Sequence, residues 1–119
     1  MTVLLLEDHH DCLQAMRHLL RQHGMEVLTA ASIAEAFTRI EQADQLDAAL
    51  LDLMLPDGCG IAVLEKLQRE RPACRIVVMT AAGDELVDEA RRHAVPVFCK
   101  PLLDLSALVA AVTGQPARS

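Results

Sequence analysis

Five short apolar runs punctuate the chain, and four of them stop abruptly at a side chain capable of chemistry. Val3-Leu4-Leu5-Leu6 ends at Glu7-Asp8, Ala48-Ala49-Leu50-Leu51 at Asp52, Ile76-Val77-Val78-Met79 at Thr80, and Val97-Phe98-Cys99 at Lys100-Pro101. Val27-Leu28-Thr29-Ala30 is the remaining run. Continuous apolar runs of this length suit strands covered on both faces, as in a parallel sheet between layers of helix. The intervening segments have helical periodicity. Cys12, Met16, Leu19 and Leu20 share one face, and Gly24 stands where a C′ residue would. Ser32-Ile33-Ala34-Glu35 reads as a capping box, opening a helix with Ile33, Ala36, Phe37 and Ile40 inward. Pro56-Asp57-Gly58 and Gly60 form a loop, with Asp57-Gly58 as its turn. A helix with Val63, Leu64 and Leu67 inward follows and stops before Pro72. Residues 84–93 have the weakest amphipathic pattern, with Leu86, Val87 and Ala90 to bury. The last helix is expected to bury Leu105, Leu108, Val109 and Val112 and to close at Gly114. Five strands alternating with five helices predict an α/β domain, a doubly wound (βα)5 with a five-stranded parallel sheet.

A length of 119 residues supports one domain over residues 1–119, and Met1 fits a natural start. The net charge of −6 argues against a nucleic-acid binder, which needs a basic face for phosphates. No apolar run approaches the ~18 residues of a membrane span. The opening MTVLLLEDHHD is acidic where a targeting peptide is basic, which points to the cytoplasm. With only Phe37 and Phe98 as aromatics, stacking platforms for bases or sugars are hard to build. Cys12, Cys59, Cys74 and Cys99 form no CxxC pair, and reduced, mostly buried thiols are expected.

In open parallel sheets, ligands bind outside the carboxyl ends of the strands, where the strand order reverses. Glu7, Asp8, Asp52, Thr80 and Lys100 should therefore meet in one crevice. Carboxylates within ~5 Å repel by roughly 3 kcal/mol per pair at an effective dielectric of 20. Such a group takes up a proton or a cation, and oxygen-only ligands favour Mg²⁺. A lysine ammonium and a threonine hydroxyl are the donors a phosphoryl group requires. The inventory supports phosphoryl transfer onto an aspartate, with a metal and a lysine stabilising the charge. Taken singly, each residue has a plainer role: Asp52 as a turn or cap, Thr80 bonded to local backbone, Lys100 solvated. Their joint position at strand ends outweighs those readings. His9-His10 beside acids raises a transition-metal site, but no third histidine is near in sequence. His9 is expected exposed at the crevice rim, and His18, His23 and His93 exposed on helices.

The motifs LLLEDHHD, LLDLMLPDGCG, VVMTAAGDE and FCKP, in this order and spacing, resemble the receiver domain of a two-component response regulator. The resemblance implies a flavodoxin-like sheet of order 2-1-3-4-5 and a cis Lys100–Pro101 peptide. It implies Asp52 as phosphoacceptor, Asp8 as a direct Mg²⁺ ligand, Glu7 acting through metal-bound water, and the Met54 carbonyl completing the set. Thr80 and Lys100 would bind the phosphoryl group. The chain would catalyse its own phosphorylation and slow dephosphorylation and then switch its interaction surface. A histidine kinase or phosphotransfer protein is the implied donor. The output partner is open, and a phosphorylation-dependent dimer is one form it could take. The family's usual Tyr or Phe three residues before the lysine is replaced by Val97, and Phe98 should point to the opposite face. Met54 and Ala82 occupy the positions that flank the hydrolytic water in the family. Neither side chain can hold water, so slow hydrolysis is expected. Two other readings remain: an aspartyl-phosphate hydrolase and a degenerate receiver that only binds. The first would want a DxD pair after the first strand and a substrate cap; intact acids, Thr80 and Lys100 weigh against the second.

Overall fold

The computed structural model describes residues 1–101 and 104–114. The main elements are β1 (Thr2–Leu6), α1 (His10–Gln22), β2 (Glu26–Ala30), α2 (Ile33–Gln42), β3 (Ala48–Leu51), α3 (Ile61–Glu70), β4 (Arg75–Thr80), α4 (Asp84–Arg92), β5 (Val97–Cys99) and α5 (Leu105–Thr113). The five strands form one parallel sheet in the order β2-β1-β3-β4-β5, as the resemblance implied. The loop after β3 adds an element not anticipated, a short antiparallel ribbon of Met54–Leu55 with Gly58–Cys59.

Alternation along the strands divides the core in two. Leu4, Leu6, Ala49, Leu51, Ile76 and Val78 pack on one face with the apolar sides of α2, α3 and α4. Val3, Leu5, Ala48, Leu50, Val77 and Met79 pack on the other with α1 and α5. The central leucines are fully buried, each contributing about 1.5–3 kcal/mol. Val97 faces the first layer and Phe98 the second, as strand alternation required. Among the described residues no helix is long and apolar enough to cross a membrane.

Helix ends are tied by polar side chains. Ser32 Oγ accepts the Glu35 N–H at 3.1 Å, while the Glu35 carboxylate accepts from Ala31 at 3.1 Å, one residue before the amide a strict capping box would use. At the opposite pole of the sheet, Arg71 donates to the carbonyls of Ile40 and Ala43 at the end of α2. Arg75 does the same for α5 through the Val112 carbonyl at 3.2 Å. Lys66 joins α3 to α2 through Glu41 at 3.3 Å, with its ammonium 5.1 Å from the centre of the Phe37 ring.

Four expectations need correction. Leu105 is 44% exposed, because it opens α5, a turn before Leu108 and Val109 reach the sheet. Of the cysteines only Cys74 is buried; Cys12 and Cys59 are half-buried and Cys99 is exposed. His93 is half-buried, since its ring and carbonyl both bond the Gln68 side chain, tying α4 to α3. Finally, α4 segregates its few apolar residues sharply from a charged outer face; the indistinct pattern belongs to α5, which is apolar on most sides.

Candidate functional site

The backbone ladder continues one residue beyond three of the strands and thereby fixes the side chains that follow. Glu7 N–H donates to the Ala30 carbonyl at 3.0 Å, Asp52 N–H to Leu6 at 3.0 Å, and Lys100 N–H to Thr80 at 2.9 Å. Glu7, Asp52 and Thr80 are all buried, an arrangement that requires partners for every polar atom.

Most of those partners lie within the group itself. Lys100 Nζ stands 2.7 Å from Glu7 Oε1 and 2.9 Å from Asp52 Oδ2. Thr80 donates its hydroxyl to Asp52 Oδ1 at 3.0 Å and accepts the Ala82 N–H at 3.1 Å. The Met54 N–H also donates to Asp52 Oδ1, at 3.1 Å. Both carboxylate oxygens of Asp52 are therefore aimed by fixed donors. The peptide between Lys100 and Pro101 is cis.

Glu7, Asp8 and Asp52 each offer an oxygen within 4.8 Å of the others, with Asp8 exposed at the mouth. At that separation each pair repels by about 3 kcal/mol at an effective dielectric of 20. Burial above all, and then the Asp52 carboxylate, push the Glu7 carboxyl above its ordinary range, partly offset by Lys100 and the nearby Cys12 thiol. Burial would also raise Asp52, but Glu7, Lys100 and the Met54 N–H together hold it below the usual carboxylate range. Lys100 is raised: burial opposes its charge, and the two carboxylates outweigh burial. Burial and Glu7 push the Cys12 thiol up to about 11, so it stays protonated.

One atom of the cluster is left over. Among the described residues, Glu7 Oε2 is buried without a hydrogen-bond partner. Three carboxylates against one ammonium, with an orphaned oxygen among them, are a donor set that fits a hard divalent cation. The residues expected in the crevice, Glu7, Asp8, Asp52, Thr80 and Lys100, all meet there, and Met54 reaches Asp52 through its backbone.

The histidines do not join them. His9 and His10 are exposed, and His9 Nδ1 accepts the Cys12 N–H at 3.5 Å as the cap of α1. A transition-metal site with imidazole ligands is not formed there.

Two neighbours escaped sequence reasoning. Cys12, in the first turn of α1, lies beside Glu7, a neighbourhood that the sequence shows only as apolar periodicity. The local sequence marks Asp57 as a simple turn residue, yet its carboxylate accepts from the Ile33 and Ala34 amides. Its partners lie over twenty residues earlier, and nothing local announces them.

Comparison with known proteins agrees with this geometry. The model of the response regulator receiver domain family matches residues 3–113. A cyclic di-GMP phosphodiesterase of Thermotoga maritima is 33% identical over 114 residues, covering 95% of this chain and 30% of its own length. The chain spans less than half the length of the first curated relatives it matches. A response regulator receiver domain protein from Clostridium thermocellum superposes with a TM-score of 0.82 at 24% identity, covering 95% of this chain and 91% of that one. The response regulator TrrA of Thermotoga maritima, solved in complex with Mg(2+)-BeF, superposes with a TM-score of 0.78 at 20% identity, covering 90% and 91%. Since the family's pattern runs through nearly the whole sequence and the fold follows it strand for strand, this chain belongs to the response regulator receiver domain family.

Proposed function

We propose that Asp52 accepts a phosphoryl group from a phosphohistidine donor, a histidine kinase or phosphotransfer protein, and that this modification switches the chain's interaction surface. The observation that carries the reading is the environment of Asp52. Despite burial, its carboxylate is held below the usual carboxylate range by Glu7, Lys100 and the Met54 amide, and is oriented by Lys100, Thr80 and that amide, beside two further carboxylates. An ionised, aimed carboxylate is the nucleophile this reaction needs. One Asp52 oxygen forms the bond to phosphorus as the phosphorus–nitrogen bond of the donor breaks, and the departing imidazole takes up a proton.

Mg²⁺ is the cation this donor set suits, and when bound it would neutralise charge on the incoming phosphoryl oxygens. Glu7, Asp8 and Asp52 would hold it, with the Met54 carbonyl as a backbone ligand. Lys100 and Thr80 then turn from Asp52 to the phosphoryl oxygens, supplying an ammonium and a hydroxyl where charge develops. Their bonds to Asp52 support that role, since both donors already stand at its carboxylate. The TrrA neighbour carries Mg(2+)-BeF, which supports the same occupancy here. The setting is cytoplasmic, and the role is signalling rather than metabolic turnover.

The test is intact-mass spectrometry after incubation with acetyl phosphate. One phosphoryl addition is expected with Mg²⁺ and none with chelator, and Asp52→Asn should show none in either condition. Equal labelling of Asp52→Asn and wild type would overturn the assignment.

A further inference from the structure

The turn at Pro56-Asp57-Gly58 does more than reverse the chain. Asp57 Oδ1 accepts the Ile33 N–H at 2.9 Å, and Oδ2 accepts the Ala34 N–H at 3.1 Å. These are the first two amides of α2, donors that a helix leaves without internal partners. Ser32 Oγ takes the next, from Glu35. A carboxylate from the loop following Asp52 thus completes the start of a neighbouring helix on the same face of the sheet. The Ile33 amide first, and then Ala34, hold the Asp57 carboxyl below its ordinary range, and a negative charge suits a helix N-terminus.

At its other end the same loop touches the phosphoacceptor, since the Met54 N–H donates to Asp52 Oδ1. Between the two contacts lies a ribbon of two residues per strand, too short to keep its shape alone. Its base is fixed by Gly60, whose N–H donates to the Leu53 carbonyl at 2.8 Å. A Cβ at Gly60 would collide with the Asp52 carbonyl, so only glycine allows this approach. Leu55 and Cys59 rest on the core layer that includes Ile33 and Phe37. The tip is tied by Asp57, and Gly58 beside it, at φ +145, would bring a Cβ within 3.0 Å of Ile33 Cδ1. Base and tip together fix the tilt of the ribbon.

We propose that Asp57 is a positioning residue for the phosphoacceptor: by clamping the ribbon tip to the start of α2, it sets where the Met54 backbone lies against Asp52. Affinity for the divalent cation and the rate of phosphorylation then depend on a side chain that touches neither. This rests on Asp52 as phosphoacceptor. A helix cap alone would give Asp57 a purely structural role, and Ser32 separates the two. Ser32 caps the same helix terminus from the helix's own side and has no bond to the ribbon.

The experiment compares Asp57→Ala with Ser32→Ala in the full chain, each shown folded by urea titration. Mg²⁺ affinity is read by titration with the metal alone, and phosphorylation by its initial rate with acetyl phosphate at saturating Mg²⁺. Asp57→Ala is expected to weaken Mg²⁺ binding about tenfold and slow phosphorylation, while Ser32→Ala stays within about twofold of wild type. Asp57→Asn, which keeps one acceptor oxygen, should fall between wild type and Asp57→Ala, and it carries the comparison if Asp57→Ala does not fold. Equal values for the Asp57 and Ser32 variants, or wild-type values for Asp57→Ala, would overturn the clamp. Wild-type chain that takes up no phosphoryl group would instead overturn the reading of Asp52, and this proposal with it.

Discussion

Met54 is 56% exposed at the mouth of the crevice, an unusual place for a large apolar side chain. Its backbone serves Asp52, while its thioether offers no useful hydrogen bond to water. Ala82, whose N–H is spent on the Thr80 hydroxyl, presents only a methyl group. Hydrolysis of a phosphorylated Asp52 needs a water held in line with the oxygen–phosphorus bond. The resemblance implies that these two side chains flank its approach, and on that basis the modified chain is expected to persist for minutes to hours. Met54→Asn supplies an amide able to hold that water and should shorten the lifetime severalfold, followed as loss of the phosphoryl mass with time. An unchanged or longer lifetime would show that Met54 does not set it. Glu7, Asp52, Thr80 and Lys100 were legible because each directly follows an apolar run, and Asp8 because it stands beside Glu7; Met54 came only with the family resemblance. The Asp57 clamp was not, because its partner amides belong to a distant helix and any acid–glycine pair reads locally as a turn.

Among the helices, α4 is the one best suited to move. Like α1 and α2 it has two buried residues, here Val87 and Ala90, but unlike them it starts without a side-chain cap, after Gly83. Its connection to the site is short: Thr80 ends β4, and Ala82 bonds the Thr80 hydroxyl two residues before the helix approaches. A Thr80 hydroxyl that turns to a phosphoryl group changes that bond first. Segments with few buried contacts open at low free energy. Amide exchange in α4 should therefore change more than in α1 when Mg²⁺ and beryllofluoride are added together. A uniform response, or one confined to α1, would count against this route. Phe98 packs on the α1 and α5 layer while Val97 faces the other, so the aromatic ring lies on the opposite side of β5 from the α4 layer. The strands β1, β3 and β4 were legible nearly to the residue because burial on both faces leaves no polar interruption. The helices were less legible. In α5 nearly every position is apolar, so sequence could not tell that Leu105 lies outside the core.

For the molecule as a whole, the crevice is a concentration of like charge maintained by the rest of the fold. A cation that binds only the assembled crevice stabilises the folded state by mass action. At a hundredfold excess over its dissociation constant, Mg²⁺ should raise the melting temperature by about 10 °C in a chain of this size. Asp8→Ala, which removes the exposed carboxylate of the set, should lose most of that increment while remaining folded. A calorimetric scan with and without Mg²⁺ checks both, and an equal increment in the two proteins would remove Asp8 from the ligand set.

Lys100 bonds Glu7 across 93 positions of sequence and Asp52 across 48. During synthesis the carboxylates therefore emerge long before the ammonium that balances them. A nascent chain that ends after Thr80 holds its acids with no lysine among them, and their repulsion opposes closure of β1 against β3 at that end. The crevice is completed only when β5, an edge strand and the last to arrive, docks beside β4. Assembly of the balanced acidic crevice is thus withheld from any copy that lacks β5 and the lysine after it, which supplies the ammonium to both carboxylates.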